Sequence, residues 1–432
     1  MYNFDFYNPT HIVFGKDRLD ELDTLVPKDA KVLITYGGGS AVHSGLIDRI
    51  VKALGNRKVE QFGGIEPNPS LETCERAVAF IKEHGVDFVL AVGGGSVVDA
   101  TKLIVMGATY DGPVIDVMKA GVPEVPVEMV PNPLPFGTVM TLPATGSEMN
   151  NGAVITYGNG KFPVFSSLVF PKFSMLDPTL TFTLPEKQVK NGVIDTFVHT
   201  TEQYLTYPVE GRIQDRFSEG ILKTMIEIGH ITVEEPENYD IRANHVWAST
   251  LALNGLIGAG VPQDWATHLI GHELTAAYHL DHGITLAIVL PALLEVKKAD
   301  KFEKLAQYAT RVWHITEGTK EEKADKAIAK TREFFESLGV ATHLKDYGIG
   351  VEAVDTVVKQ LKDHWHSIRP AELARNPWPE TLVMLVTVGA TVGTSNLAIG
   401  VLAGLISMAL IPRRLRTQAQ ATSEKASPAQ EK

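Results

Sequence analysis

The sequence contains a single cysteine, Cys74, in 432 residues. No disulfide can form within the chain, which suits a reducing compartment, and any metal site must use histidine and carboxylate ligands rather than thiolates. Basic charge is also in short supply. The 40 Lys and Arg are outnumbered by 51 Asp and Glu, for a net charge of -11. A nucleic-acid surface is therefore not expected. The start, Met1-Tyr-Asn-Phe-Asp-Phe6, lacks the basic residues and apolar run of a secretory signal, so the chain reads as cytoplasmic. With 44% hydrophobic and 21% charged residues, the bulk of it has globular proportions and the length of two or three domains.

What is present begins with two short apolar runs, each ending in three glycines and a serine. Lys31-Val-Leu-Ile-Thr-Tyr36 leads into Gly37-Gly-Gly-Ser40, and Val86-Asp-Phe-Val-Leu-Ala-Val92 leads into Gly93-Gly-Gly-Ser96. Both read as buried parallel strands, and Leu71 to His84 between them has helical spacing. Pro113 to Pro143 reads as a loop, and Pro171 to Pro185 as a strand and linker. From Glu186, with Thr183 just ahead of it, to about Trp365 the pattern is helical. The expected fold is an α/β domain with a Rossmann-like parallel sheet over residues 1–184, then an all-helical domain over 185–365. Residues 366–432 form an atypical tail.

A glycine loop after a buried strand lets the backbone approach a ligand and points amide N–H groups at an anion. Two such loops in one α/β layer suggest a dinucleotide, although neither is the spaced fingerprint of the standard Rossmann site. The alternative for each loop is a plain strand-to-helix turn. Asp99, read as lying in the first turn after the second loop, has two open roles: accepting a ribose or amide hydrogen bond, or capping the helix. No carboxylate follows the first strand to repel a 2′-phosphate, which favours NADP(H) over NAD(H).

Asp195 and His199 lie four apart in a helical segment, on one face. His268 and His272 repeat that spacing in Asp264-Trp-Ala-Thr-His-Leu-Ile-Gly-His272, and His279 and His282 follow. Asp195, His199, His268 and His282 supply one carboxylate and three imidazoles, which suits Fe2+ or Zn2+. Trp265 and Phe197 are candidates for an apolar substrate pocket, or for core.

Several runs resemble the iron-containing alcohol dehydrogenases, in the branch of NADPH-dependent butanol dehydrogenases and aldehyde reductases. They are Phe62-Gly-Gly-Ile-Glu-Pro-Asn-Pro69, Ala91-Val-Gly-Gly-Gly-Ser-Val-Val-Asp99, Leu142-Pro-Ala-Thr-Gly-Ser-Glu148, Asn191-Gly-Val-Ile-Asp-Thr-Phe-Val-His199 and Gly260-Val-Pro-Gln-Asp-Trp-Ala-Thr-His-Leu-Ile-Gly-His-Glu273. The resemblance runs from about residue 3 to about residue 364. It implies a dehydroquinate-synthase-like architecture, with metal ligands at Asp195, His199, His268 and His282. It implies cofactor contacts at Gly38, Gly39, Ser40, Asn68, Gly94, Gly95, Ser96, Asp99, Thr138, Thr141, Thr145 and Lys161. It also places His272 near the substrate, either as a proton donor or as packing behind the ligands. The implied reaction is reversible reduction of aldehydes to primary alcohols with NADP(H), in a homodimer. The rival readings are a polyol or glycerol dehydrogenase, a cyclising synthase of the same architecture, or an inert membrane-anchored hybrid.

The last possibility comes from the tail. Leu382 to Pro412 has no charged residue, and Arg413, Arg414 and Arg416 follow at once. That length exceeds what a bilayer span needs, and the flank is basic. The stretch resembles the last transmembrane region of sulfate-permease-type transporters, and it is expected either to tether the chain to a membrane or to form a buried helix. A polar, disordered end should follow it.

Overall fold

The computed structural model describes residues 1–120, 130 and 132–367. The uncharged stretch 382–412, its expected membrane tether and the polar end lie outside these residues. Among the described residues no helix is long and apolar enough to cross a membrane. The chain forms two compact units, one of Met1–Gln263 and one starting at Asp264.

The first unit is organised by six parallel strands in the order β1-β8-β5-β4-β2-β3. They are β1 (His11–Phe14), β2 (Lys31–Tyr36), β3 (Lys58–Phe62), β4 (Phe88–Gly93), β5 (Phe136–Met140) and β8 (Phe173–Leu176). A separate antiparallel hairpin joins β6 (Gly152–Tyr157) to β7 (Gly160–Phe165). Every residue of β4, β5 and β8 is buried, the pattern of a sheet covered on both faces. The first expected strand is β2, and the second forms as β4. Leu71–His84 is a helix as its spacing predicts: Ser70 Oγ accepts from Thr73 N–H at its start, and Gly85 ends it at φ 62°.

Two expectations change. The proline-rich stretch is more than a loop, since it holds the helix Val114–Ala120 and the core strand β5. Prolines bracket these elements without interrupting them. The Glu186–Tyr204 helix starts with Pro185 at its cap and takes no side-chain cap from Thr183. That helix packs with Arg212–Glu234 and Tyr239–Ala252 in the first unit.

The second unit is helical: Ala266–Tyr278, His282–Val296, Phe302–Arg311, Lys320–Ser337 and Ala353–Ser367. Its core runs along Ala266, Ile270 and Leu274, which pack with Ile288, Ala292, Ala353 and Val357. Thr319 and Glu322 form a reciprocal capping box at the start of Lys320–Ser337.

His245, on Tyr239–Ala252, is fully buried. Burial, and secondarily the charge of Arg242, push its imidazole down to about 3. The unfolded chain takes up this proton near about pH 6.5, so the folded state loses ground as pH falls from there toward 3, by about 1.4 kcal/mol per pH unit for this one group. His245→Gln should therefore flatten the fall in urea midpoint between about pH 6.5 and 4.5. Parallel wild-type and variant curves would assign the acid sensitivity to other groups.

Candidate functional site

The strand order reverses direction between β2 and β4. From β2 the chain moves outward to β3, and from β4 it moves outward the other way to β5. Thr35 pairs with Ala91 and Tyr36 with Val92, so both glycine loops leave adjacent strand ends at this switch point. This is where open α/β sheets bind ligands. In the first loop Gly39 stands at φ 111° ahead of the one-turn helix Ser40–His43. A Cβ on Gly38 would meet no atom within 4 Å, which leaves its backbone open to a ligand. The second loop opens the helix Gly95–Thr109. A Cβ on Gly95 would run into the side chain of Thr145, and one on Gly94 would come within 3.0 Å of Leu142 Cβ. Glycine is needed there because Leu142–Thr145 lies directly against the loop.

Asn68, Ser96 and Lys161 come together beside it. Asn68 adopts φ 57°, a left-handed conformation that asparagine tolerates. Its N–H donates to Ser96 Oγ at 3.4 Å, and Lys161 Nζ donates to its Oδ1 at 2.8 Å. Thr141 N–H donates to the Gly93 carbonyl at 2.9 Å. Thr138 lies inside β5 between Ala91 and Ser174 and is fully buried. Its Oγ1 has no hydrogen-bond partner among the described residues.

Asp99 lies in the second turn of its helix, not the first as the sequence suggested, because the helix starts at Gly95. It caps nothing. Instead its carboxylate accepts from Ser147 Oγ at 2.5 Å and from Val154 N–H at 2.9 Å. Lys102, one turn on and fully buried, donates to Ser147 Oγ and Asn150 Oδ1 at 2.8 Å and to the Gly152 carbonyl at 2.6 Å. Burial pushes the Lys102 amine down to about 8, against the pull of Asp99 and Glu148. Burial likewise raises the carboxyls of Asp99 and Glu148. Sequence reasoning missed Lys102, Ser147 and Asn150 as one network. The only sequence signal was the Asp99-to-Lys102 spacing, and Ser147 bridges that pair.

The Asp195 and His199 side chains are buried on Glu186–Tyr204, with Oδ1 and Nδ1 3.4 Å apart. A Cβ on Gly192 would collide with the Pro143 carbonyl, so glycine lets this helix close onto the same Leu142–Glu148 segment. In the second unit three imidazoles cluster. His268 and His282 lie 5.1 Å apart between ring centroids, His272 and His282 5.1 Å, and His268 and His272 6.1 Å. His279 is exposed at φ 55° beyond the helix end. Asp264 accepts from Ala266 N–H at 3.2 Å and pairs with Lys301 at 2.8 Å. Burial works to raise its carboxyl, but Lys301 holds it below the ordinary range. Of the two candidate pocket aromatics, Phe197 is fully buried, while Trp265 is half-buried with its ring 5.5 Å from His268 and edge-to-face. The donor chemistry of the two clusters, one carboxylate and several neutral-capable imidazoles, fits a divalent iron or zinc ion.

Residues 9–178 match the iron-containing alcohol dehydrogenase family, and residues 189–382 match the C-terminal part of the Fe-containing alcohol dehydrogenase family. The chain is 54% identical over 369 residues to the NADPH-dependent aldehyde reductase YqhD of Escherichia coli, covering 84% of this chain and 94% of that protein.

This chain belongs to the iron-containing alcohol dehydrogenase family.

A probable NADH-dependent butanol dehydrogenase of Bacillus subtilis is 41% identical, over 83% of this chain and 92% of its own length. Among solved structures, that of Escherichia coli YqhD superposes with a TM-score of 0.85 at 49% identity, covering 91% of this chain and 99% of that one. The NADH-dependent butanol dehydrogenase A of Thermotoga maritima gives 0.80 at 32% identity, covering 90% and 99%. The α/β-plus-helical architecture expected for an iron-containing alcohol dehydrogenase is the observed one. The C-terminal family match runs to residue 382, where the uncharged stretch begins.

Gly95→Ala should crowd Thr145 and destabilise the first unit by about 1–3 kcal/mol. Thr145→Gly introduced alongside should recover a good part of the loss in urea midpoint. An unchanged midpoint in the single variant would mean that the loop and Thr145 are not in contact.

Proposed function

We propose that this protein reduces aldehydes to primary alcohols with NADPH, using a divalent iron or zinc ion held by Asp195, His199, His268 and His282. The observation that carries the reading is a pair of ligand clusters of the right chemistry. One is a buried Asp–His couple on one helix, with its atoms 3.4 Å apart. The other is a set of imidazoles 5.1–6.1 Å apart. When bound, the cation supplies Lewis acidity toward the carbonyl oxygen and NADPH supplies the hydride.

The protein's own groups do the rest. The amide N–H groups of Gly38, Gly39, Gly94, Gly95 and Ser96, with Ser40, receive the cofactor's phosphates at the switch point. Asn68, Lys161, Thr138, Thr141 and Thr145 frame it. Asp99 acts through Ser147, holding the wall behind the second loop. His272, one turn beyond His268, returns a proton to the product oxygen. Trp265 gives the aldehyde's alkyl chain an apolar contact.

The absence of a carboxylate after β2 supports NADPH over NADH. The family matches, which end at 178 and resume at 189, support a functional boundary near 184/185, between the cofactor-binding part and the metal-binding part over 185–365. The exposed Tyr2, Phe4, Phe6 and Tyr7 support burial against a second copy in a homodimer. The buried lone thiol of Cys74 suits the cytoplasm.

The test is NADPH oxidation by the full-length chain with butanal, before chelation, after it, and after iron or zinc is added back. Turnover should stop with chelation and return with metal. NADH should serve roughly tenfold or more worse in kcat/KM, about 1.4 kcal/mol. His268→Ala should lower kcat/KM by roughly a hundredfold or more, about 2.7 kcal/mol, together with metal content. Turnover on glycerol without turnover on butanal would favour the polyol dehydrogenase reading, and a folded chain inactive with every metal would overturn the enzyme reading.

A further inference from the structure

The helix Ala266–Tyr278 carries His268 and His272, and the next residue, Glu273, points elsewhere. Its side chain is 6% exposed and accepts from His364 Nδ1 at 2.8 Å. His364 lies on Ala353–Ser367 and is itself 12% exposed. The Glu273 carboxylate raises the His364 imidazole above its ordinary range, against the opposing effect of burial. The second carboxylate oxygen, Oε2, is buried and has no hydrogen-bond partner among the described residues.

Apolar side chains also join these helices: Ala266, Ile270 and Leu274 share a buried cluster with Ala353 and Val357, with Leu361 at its margin. Small aliphatic side chains fill volume but specify rotation weakly, and several registers bury similar area. A half-satisfied buried ion pair adds little net stability, because its desolvation cost offsets its attraction. The best-attested use of such a pair is to fix one register among several. Each residue of an α-helix advances roughly 100°, so a small rotation of Ala266–Tyr278 moves both histidines out of alignment.

We infer that Glu273 and His364 are positioning residues that lock the rotation of the histidine-bearing helix, so that His268 and His272 are presented correctly. This rests on the metal-site reading above. The pair acts through the helix and touches neither substrate nor cofactor.

The experiment uses the full-length chain loaded with zinc alone, as wild type, as the Glu273→Leu/His364→Leu double variant, and as His364→Gln. Thermal midpoint, the rate of zinc release to a chromophoric chelator, and kcat and KM with butanal and NADPH are measured for each. The double variant should melt at or above the wild-type temperature yet release zinc at least tenfold faster. Its kcat should be lower, and its KM for NADPH unchanged. His364→Gln, which keeps a neutral hydrogen bond, should fall between the two. A folded double variant with wild-type zinc release and kcat would overturn the inference. If the double variant does not fold, wild-type zinc release by His364→Gln overturns it instead. A wild-type chain that takes up no stoichiometric zinc would overturn the metal reading itself, a separate result from the other two.

Discussion

Much of the first unit depends on how closely the segment Leu142–Glu148 is held. On one side the second glycine loop reaches it only because Gly95 has no side chain to strike Thr145. On the other, the helix bearing Asp195 and His199 reaches the Pro143 carbonyl only because Gly192 has none either. The second glycine loop and the helix bearing Asp195 and His199 are therefore set against one short stretch of backbone. A shift in that stretch would move both. This is a steric constraint, and close-packed interiors transmit such constraints well because they compress little.

Beneath the same segment lies the Asp99–Ser147–Lys102 network. Three acceptors around Lys102 Nζ and two donors on Asp99 offset much of the desolvation that burial imposes on both charges. Val154 and Gly152 belong to the β6–β7 hairpin, so the network ties that hairpin to the helix behind the glycine loop. Lys161, on the same hairpin, meets Asn68 and so ties its other strand to the loop after β3. The hairpin is held by polar contacts at defined points, and these set its position more sharply than apolar packing alone would.

What the sequence made legible was whatever depends on local pattern. The strands β2 and β4 showed because they are uninterrupted apolar runs, and Leu71–His84 because its cap and its glycine stop are adjacent in sequence. The i, i+4 pairs Asp195/His199 and His268/His272 could be read because helical spacing is itself a geometric statement. The strand β5 was hidden among prolines, and the β6–β7 hairpin was not found at all. Asp99 was placed one turn too early, since a one-residue uncertainty at a glycine-rich helix start is enough to change its role. Asp264, four residues before His268, turned out to accept from the Ala266 N–H and to pair with Lys301, which lies 37 residues away in sequence. Pairings of that kind depend on tertiary packing and leave no local trace. Glu273 and His364, on the first and last described helices of the second unit, belong to the same class.

The position of β1 has a consequence for how the chain comes to be folded. The strand is made before the rest of the sheet, yet among the described residues its one sheet neighbour is β8, with His11 beside Phe173 and Phe14 beside Leu176. During synthesis β1 has no partner until the whole α/β alternation has emerged behind it. Such long-range parallel pairing is slow and leaves an apolar edge exposed while it waits. Closure of the β1 edge of the sheet is thus timed by the arrival of β8.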